Sequence, residues 1–456
     1  MTRTELARLE SSLFRPVDAA WLAAFRILFG LALAVSMERF LAYGWVDSLL
    51  VAPRFRFHYL GFAWVEPLSR AGMHALFVAL AGLALAVAAG FAYRVTAPLF
   101  ALGLTYVQLV DVSTYLNHYY LAGLFAWLLA AAPANRIWSV DALLARERRS
   151  HVATAWLVLF RAQVATVYVF AGLAKAQPDW LLHGQPLAIW LGASTHLPIL
   201  GRVFTWPHVP LVMSWLGFLF DLTIVLWLSW RRTRPFAFVV LLVFHALTRA
   251  LFDIGMFPII MSTAALVFFA PDWPRRLVRR VGGVSEGMAV AASPPWLRRA
   301  ALGLGALWIA VQVLAPLRVH LYPGNVLWHE QGMRFSWRVM VRAKGGATTF
   351  LVRDKATGRE THVSPREYLT AFQENEMSGQ PDLILQLAHH IKEERDLGAR
   401  AGVEVRVASS ASLNGRRSAP FVDPRVDLAT IDDGLATASW ILPAPDEAPP
   451  ATRPVR

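Results

Sequence analysis

ATAWLVLFRAQVATVYVFAGLAK, residues 153–175, decides the fold. Its only charged side chains are Arg161 and Lys175. As a helix it rises about 35 Å, enough to cross a hydrocarbon layer roughly 30 Å thick. Blocks of the same kind lie on both sides of it: 17–42, 71–93, 95–111 and 119–133 before it, and 210–230, 235–251, 257–271 and 299–318 after it. One long apolar helix can belong to a soluble core, but nine in one chain point to a membrane. The expectation is a polytopic α-helical membrane protein of about nine spans, with a transmembrane helical domain over residues 1–318.

Composition agrees. Of 456 residues 56% are hydrophobic and 16% charged, where a soluble chain carries about 25% charged residues, and the mean hydropathy is +0.43. The net charge is +13, from 44 basic and 31 acidic residues. The arginines concentrate in short loops between apolar blocks, which the positive-inside rule explains without nucleic acid as a partner. The chain has no cysteine, which excludes a disulfide, a thiolate nucleophile and a cysteine-held metal. Arg3, Arg8 and Arg15 precede an apolar run too long for a cleavable signal, so that run reads as a retained first helix.

The loops set an orientation. Arg136, Arg146, Arg148 and Arg149, then Arg231, Arg232 and Arg234, then Arg275, Arg276, Arg279, Arg280, Arg298 and Arg299 fall with the basic N-terminus on one side, hence cytoplasmic. Segments 112–118, 176–209 and 252–256 are nearly free of basic residues and face out. Arg54, Arg56 and Arg70 in the first outer loop are the exception. Nine spans leave the C-terminal part outside.

From residue 319 the composition becomes that of a soluble domain, expected over 319–443 and of mixed α/β or mainly β character. Trp337–Arg342, Thr348–Arg353, Glu360–Val363 and Val403–Ala408 read as strands. Lys344-Gly345-Gly346 and Thr357-Gly358 read as turns, and Pro381–Arg395 as an amphipathic helix. The Pro-, Ala- and Glu-rich tail, 444–456, is expected to be disordered.

Ionisable groups in the spans are the functional candidates, because charge within a bilayer is costly. They are Arg26, Arg161, Lys175, Asp221, His245, Arg249 and Asp253, with His118 at the start of a span. Arg26 and Asp221 could simply pair within the bundle. Lys175 could snorkel to the interface, and each histidine could be a hydrogen-bonded core residue. The topology favours a site instead, since it sets His118, Lys175 and His245 at one depth in the outer leaflet, with Arg249 and Asp253 a turn or two beyond. Arg161 shares a face of its helix with Lys175, and Gln163 lies close to that stripe. Burial disfavours a charged amine, and a neighbouring cation such as Arg161 would add to the effect, so a free amine is available as a general base. No metal-ligand spacing, P-loop or nucleophile elbow is present, and no metal is expected.

These residues carry a family resemblance. Asn117-His118-Tyr119-Tyr120-Leu121 through Asn135-Arg136-Ile137-Trp138-Ser139-Val140-Asp141 resembles the vitamin K-dependent γ-glutamyl carboxylase family, as a bacterial-type homologue with its horizontally transferred transmembrane (HTTM) domain. So do Arg161-Ala162-Gln163, Val167 to Lys175 with Tyr168, Asp179-Trp180, His245, Ile254-Gly255-Met256-Phe257-Pro258, Phe335-Ser336-Trp337 and Asp423-Pro424-Arg425-Val426-Asp427. The resemblance implies that Lys175 deprotonates vitamin K hydroquinone (or a related quinol). Addition of O2 then provides a strong base that takes a γ-proton from a peptide glutamate. The carbanion captures CO2, and vitamin K epoxide is released. It implies His118 and Asn117 near the quinone, and His245, Phe257, Met261, Trp337 and Met340 lining the quinone or glutamate pocket. The partners implied are the lipid bilayer and a glutamate-containing peptide or protein, and the location is a bacterial inner membrane. Animal members carry two adjacent lysines where this chain has Ala174-Lys175, and a disulfide that it lacks. The reading from a different class is a non-catalytic quinone- or partner-binding membrane protein that retains the fold; a transporter is disfavoured because the charges sit at the outer edge rather than along a path to the midplane.

Overall fold

A computed structural model describes residues 3–145, 150–198, 200–278, 294–398 and 401–450. Arg146, Arg148, Arg149, Arg279 and Arg280, and tail residues 451–456, lie outside the described residues.

An N-terminal helix α1 (Arg3–Leu13) and a short strand β1 (Pro16–Asp18) lead into α2 (Ala20–Ala42), α3 (Arg70–Ala89), α4 (Tyr93–Leu109) and α5 (Asn117–Ala131). Strand β2 (His151–Ala153) pairs antiparallel with β1 and starts α6 (Thr154–Lys175). Then come α7 (Val209–Ser229), α8 (Arg234–Leu251), α9 (Phe257–Ala265) and α10 (Pro295–Leu317). In sequence order α2, α3, α4 and α5 pack each on the next, as do α6, α7, α8 and α9. Helix α9 closes the bundle by returning to α2 and α6, while α10 lies outside against α6. The centre is aromatic: Phe25 meets Phe160 at 5.0 Å and Phe125 at 5.1 Å between ring centroids.

Among the described residues, six helices are long and apolar enough to cross a membrane: α2, α3, α6, α7, α8 and the run Pro295–Leu321 that contains α10. The other three of the nine expected spans are shorter. Helix α4 has 17 residues, α5 has 15, and the apolar run Phe257–Phe268 falls in the 10–17 residue class. At 1.5 Å per residue these cover about 18–26 Å, short of a hydrocarbon core of roughly 30 Å. The outer faces of α7 and α8 keep large apolar side chains such as Leu216, Leu226, Phe236 and Val239 exposed, the surface of helices that meet lipid rather than water.

The C-terminal part is a four-stranded antiparallel sheet in the order β4-β3-β5-β6, with β3 Lys344–Asp354, β4 Glu360–Val363, β5 Val403–Leu413 and β6 Ala419–Pro420. Strands β3 and β5 pair over their whole length, from Lys344↔Leu413 to Asp354↔Val403. Helices α11 (Ala371–Ser378) and α12 (Pro381–Asp396) pack against the sheet, and Leu383, Leu387, Ala388 and Ile391 of α12 are fully buried. The domain is therefore mixed α and β.

Two local expectations are corrected. Lys344-Gly345-Gly346 starts β3 instead of making a turn. A Cβ on Gly346 would stand 2.2 Å from the Ser378 carbonyl, so the glycine admits a close backbone approach. Trp337–Arg342 is no strand, because Phe335, Trp337 and Met340 all adopt left-handed φ angles (64°, 58° and 54°) that break extended pairing. Of the tail, residues 444–450 run without regular structure, and the Glu447 carbonyl accepts a 2.6 Å hydrogen bond from Arg416 Nε.

Candidate functional site

Helix α6 delivers Lys175 as its last residue, and the side chain is 6% exposed. It does not snorkel. Its Nζ donates to Asp221 Oδ2 at 2.7 Å and to the Ala171 carbonyl at 3.2 Å, and it stands 5.3 Å from the centre of the Trp180 ring. Trp180 is held in turn by Nε1 donating to the Ser214 carbonyl at 2.7 Å. Asp221 lies twelve residues into α7, so the end of α6 reaches well down beside α7. Residues 176–208, with short helices at 178–181, 187–193 and 200–204, run between them.

Two turns before Lys175 on the same helix, Tyr168 shares a 2.8 Å hydrogen bond between its hydroxyl and His245 Nε2 of α8. His245 is 2% exposed, and its Nδ1 is buried without a partner. Phe220, Phe244 and Phe257 pack around this imidazole, with ring centroids 5.5–6.5 Å away. These groups border one cavity of about 790 Å³, walled otherwise mostly by apolar side chains of α6, α7 and α8, with Arg232 in the α7–α8 turn, and by Val339 and Met340 of the C-terminal domain. Val240, Val243 and Leu247, on the exposed side of α8, also border it, so the cavity opens toward lipid.

The structure thus brings Lys175, Tyr168, His245, Phe257 and Met340 together. His118 is buried nearby but faces elsewhere. Its ring lies 4.2 Å from that of Tyr119, and a Cβ on Gly255 would sit 3.0 Å from its Nε2. The turn 254–257 therefore touches His118 at Gly255 and His245 at Phe257. Asn117 Oδ1 accepts from the Tyr115 hydroxyl at 3.1 Å. Met261 is fully buried in the helix core, and Trp337 stacks on Tyr120 at 5.1 Å.

Three expected site residues stay apart. Arg161 donates to the carbonyls of Val267, Phe268 and Phe269, fourteen residues and about 21 Å along the helix from Lys175, so it is not the neighbouring cation expected. Gln163 joins α6 to α10, accepting from Trp308 Nε1 at 3.1 Å and facing Gln312 at 3.4 Å. Arg249 is exposed. Asp221, a candidate that could also simply pair within the bundle, does pair there, and its partner is Lys175; as the lone acid in an apolar α7 it was the signal available.

A second cavity, about 860 Å³, lies between α4, α5 and the C-terminal domain and is bordered by Gln108, Trp127, Arg318, Glu330 and Asp382. The segment 330–340 walls both cavities, with Glu330 to Phe335 on one and Val339 and Met340 on the other. Among the described residues no group of three or more His, Asp or Glu side chains is set to hold a metal ion.

The apolar cavity fits a lipid-soluble quinol. Its volume is in the range of small-molecule sites, and its lining includes the Lys175–Asp221 pair and the Tyr168–His245 pair, whose His245 Nδ1 is orphaned. Residues 14–273 match the family described as the HTTM domain, and residues 297–447 match the vitamin K-dependent gamma-carboxylase, lumenal domain. No solved structure matches the chain.

Proposed function

Because this integral membrane chain belongs to the vitamin K-dependent gamma-carboxylase family, we propose that it is a quinol-dependent γ-glutamyl carboxylase with epoxidase activity. The observation that carries the reading is Lys175, a buried amine beside an apolar cavity open to lipid. Tyr168, His245, Phe257 and Met340 would hold the quinol head, while the apolar faces of α7 and α8 would take its chain. When bound, the hydroquinone supplies the reaction with O2 that drives loss of a γ-proton from a peptide glutamate, and the glutamate carbanion takes up CO2. Lys175 takes the proton of the quinol hydroxyl. The aromatic wall of Phe220, Phe244 and Phe257 keeps water from reprotonating the glutamate. His118, against the 254–257 turn, fixes that turn's position beside the quinol.

The reading extends to topology. Nine crossings, completed by the segments flanking α4, α5 and α9, put the N-terminus in the cytoplasm of a bacterial cell and the outer domain beyond its inner membrane. A glutamate-containing peptide then reaches the site from outside.

The test uses purified protein in nanodiscs with vitamin K hydroquinone, O2, labelled bicarbonate and a short glutamate peptide, beside Lys175→Ala. Epoxide and acid-stable label in the peptide, both lost in Lys175→Ala, are expected. Epoxide alone would leave the quinol chemistry and remove the peptide. Neither product, from protein that binds quinone, would favour a binding protein that keeps the fold.

A further inference from the structure

Resting on that reading, we infer that Asp221 is the final acceptor of the proton that Lys175 takes from the quinol, so that the pair works as a two-proton relay with Asp221 as its positioning residue. The geometry is specific. Lys175 Nζ has three N–H positions when protonated. One is on Asp221 Oδ2 at 2.7 Å and one on the Ala171 carbonyl at 3.2 Å, which leaves one toward the cavity that both side chains border. Both side chains are nearly closed to solvent, at 7% and 8% exposed.

Charge decides how such a pair can act as a base. A free amine at Lys175 with Asp221 still ionised would leave the carboxylate as an unpaired buried charge, a costly arrangement. The resting state is therefore ammonium and carboxylate, and this ammonium has no vacancy for a proton. A relay removes the difficulty. The N–H bond facing Asp221 breaks first as an O–H bond forms at Oδ2, leaving a neutral amine and a neutral acid. The amine then turns about its Cε–Nζ bond to present the lone pair to the cavity, and the ligand O–H bond breaks as a new N–H bond forms at Nζ. Before the step the charges are +1 on Lys175 and −1 on Asp221. After it they are +1 on Lys175 and −1 on the ligand oxygen, with Asp221 neutral. The summed charge of Lys175, Asp221 and the ligand hydroxyl stays zero at every stage, and the step ends with the cation beside the anion. The other titratable side chains bordering this cavity are Tyr168 of α6, His245 of α8 and Arg232 in the α7–α8 turn. Tyr168 and His245 are bonded to each other, and neither is bonded to Asp221.

The experiment is infrared difference spectroscopy of the full chain in nanodiscs, under argon, on adding 4-methoxy-1-naphthol, which offers one acidic hydroxyl. Binding is followed by the naphthol's fluorescence, and turnover with hydroquinone and O2 is run in parallel. The expected result is a new C=O stretch of a protonated carboxylic acid in the wild type, moved in frequency by Asp221→Glu and absent in Asp221→Asn. Epoxidation should also fall in Asp221→Asn and return in Asp221→Glu. Naphthol bound with no carboxyl band, or a band that survives Asp221→Asn, would overturn the relay even while epoxide forms. If Asp221→Asn fails to fold, the band in the wild type and its shift in Asp221→Glu still decide. A wild type that neither binds naphthol nor makes epoxide would defeat the functional reading, and this proposal with it.

Discussion

Arg416 grips Asp179 with both arms of its guanidinium, Nη1 2.6 Å from Oδ2 and Nη2 2.7 Å from Oδ1. Asn414 Nδ2 adds a third bond to Oδ2 at 2.7 Å. The contact ties the turn that follows Lys175 to the end of β5, so it fastens the C-terminal domain beside the cavity. Both ion-pair side chains are 10% exposed. Removing one partner of so buried a pair costs about 3–5 kcal/mol, because the other charge is left unmatched. Asp179→Asn and Arg416→Met should each show this loss in thermal unfolding, and the double variant should lose less than their sum. Burial raises the Asp179 carboxyl, but Arg416 and Asn414 outweigh it and hold the group below its usual range. Its contribution is thus present above the unfolded carboxylate value near 4 and lost as pH falls through the lower folded one. Asp179→Asn should flatten the acid limb of the wild-type stability curve; an unchanged limb would mean that the pair does not control it.

Lys344 is expected to shape the opposite limb. Its side chain is wholly shut from solvent, with Nζ bonded to the Trp328 carbonyl and to Glu330 Oε1 at 3.0 Å, and 4.2 Å from the Phe421 ring centre. Burial pushes this ammonium down to about 8 against the pull of Glu330. Between that value and the unfolded one near 10.5 the unfolded chain binds more protons, so stability rises with pH across this window. The gain reaches about 3 kcal/mol from a shift of this size. Lys344→Met should abolish the alkaline rise in thermal unfolding, and a rise of the same size in the variant would assign it elsewhere.

Gly255 holds a left-handed φ of +56° with His118 against it. Gly255→Ala carries a backbone cost of about 1–2 kcal/mol and drives a methyl group to 3.0 Å from His118 Nε2. Gly61→Ala is the control, because its φ is +82° and nothing lies within 4 Å of the added Cβ. Comparable loss of stability but a larger fall in quinol turnover is expected for Gly255→Ala. Equal turnover in the two would show that pressure on His118 does not reach the site.

Length and apolarity made α2, α3, α6, α7 and α8 legible in the sequence, since a sparsely charged apolar block that long has few alternatives. The depth at which helices cross was not legible. Lys175 ends α6 while Asp221 lies in the middle of α7, and only their packing reveals that the two side chains meet. The same gap misplaced Arg161, which shares a helical stripe with Lys175 but sits at the other end of it. In the outer domain, α12 was legible from its period, whereas Trp337–Arg342 alternates like a strand. Two left-handed residues within it, Trp337 and Met340, and Phe335 just before it bend the chain into the loop between the two cavities instead. Their φ angles come from tertiary packing and leave no mark on the apolar pattern.

Counting crossings is the remaining task, because α4, α5 and α9 are short for a bilayer. The chain has no cysteine, so one introduced thiol reports one location. Gly434→Cys places it in the outer domain, where an added side chain meets nothing within 4 Å. Arg232→Cys places it in the exposed turn between α7 and α8. With nine crossings, a membrane-impermeant maleimide should label position 434 in intact spheroplasts and label position 232 only after permeabilisation. If one short helix turns back within the bilayer, the crossings after it reverse. An odd number of such turns anywhere between the two positions would give both thiols the same accessibility. A single turn before α7 would instead exchange the two results, so the pattern of labelling identifies which group of short helices fails to span.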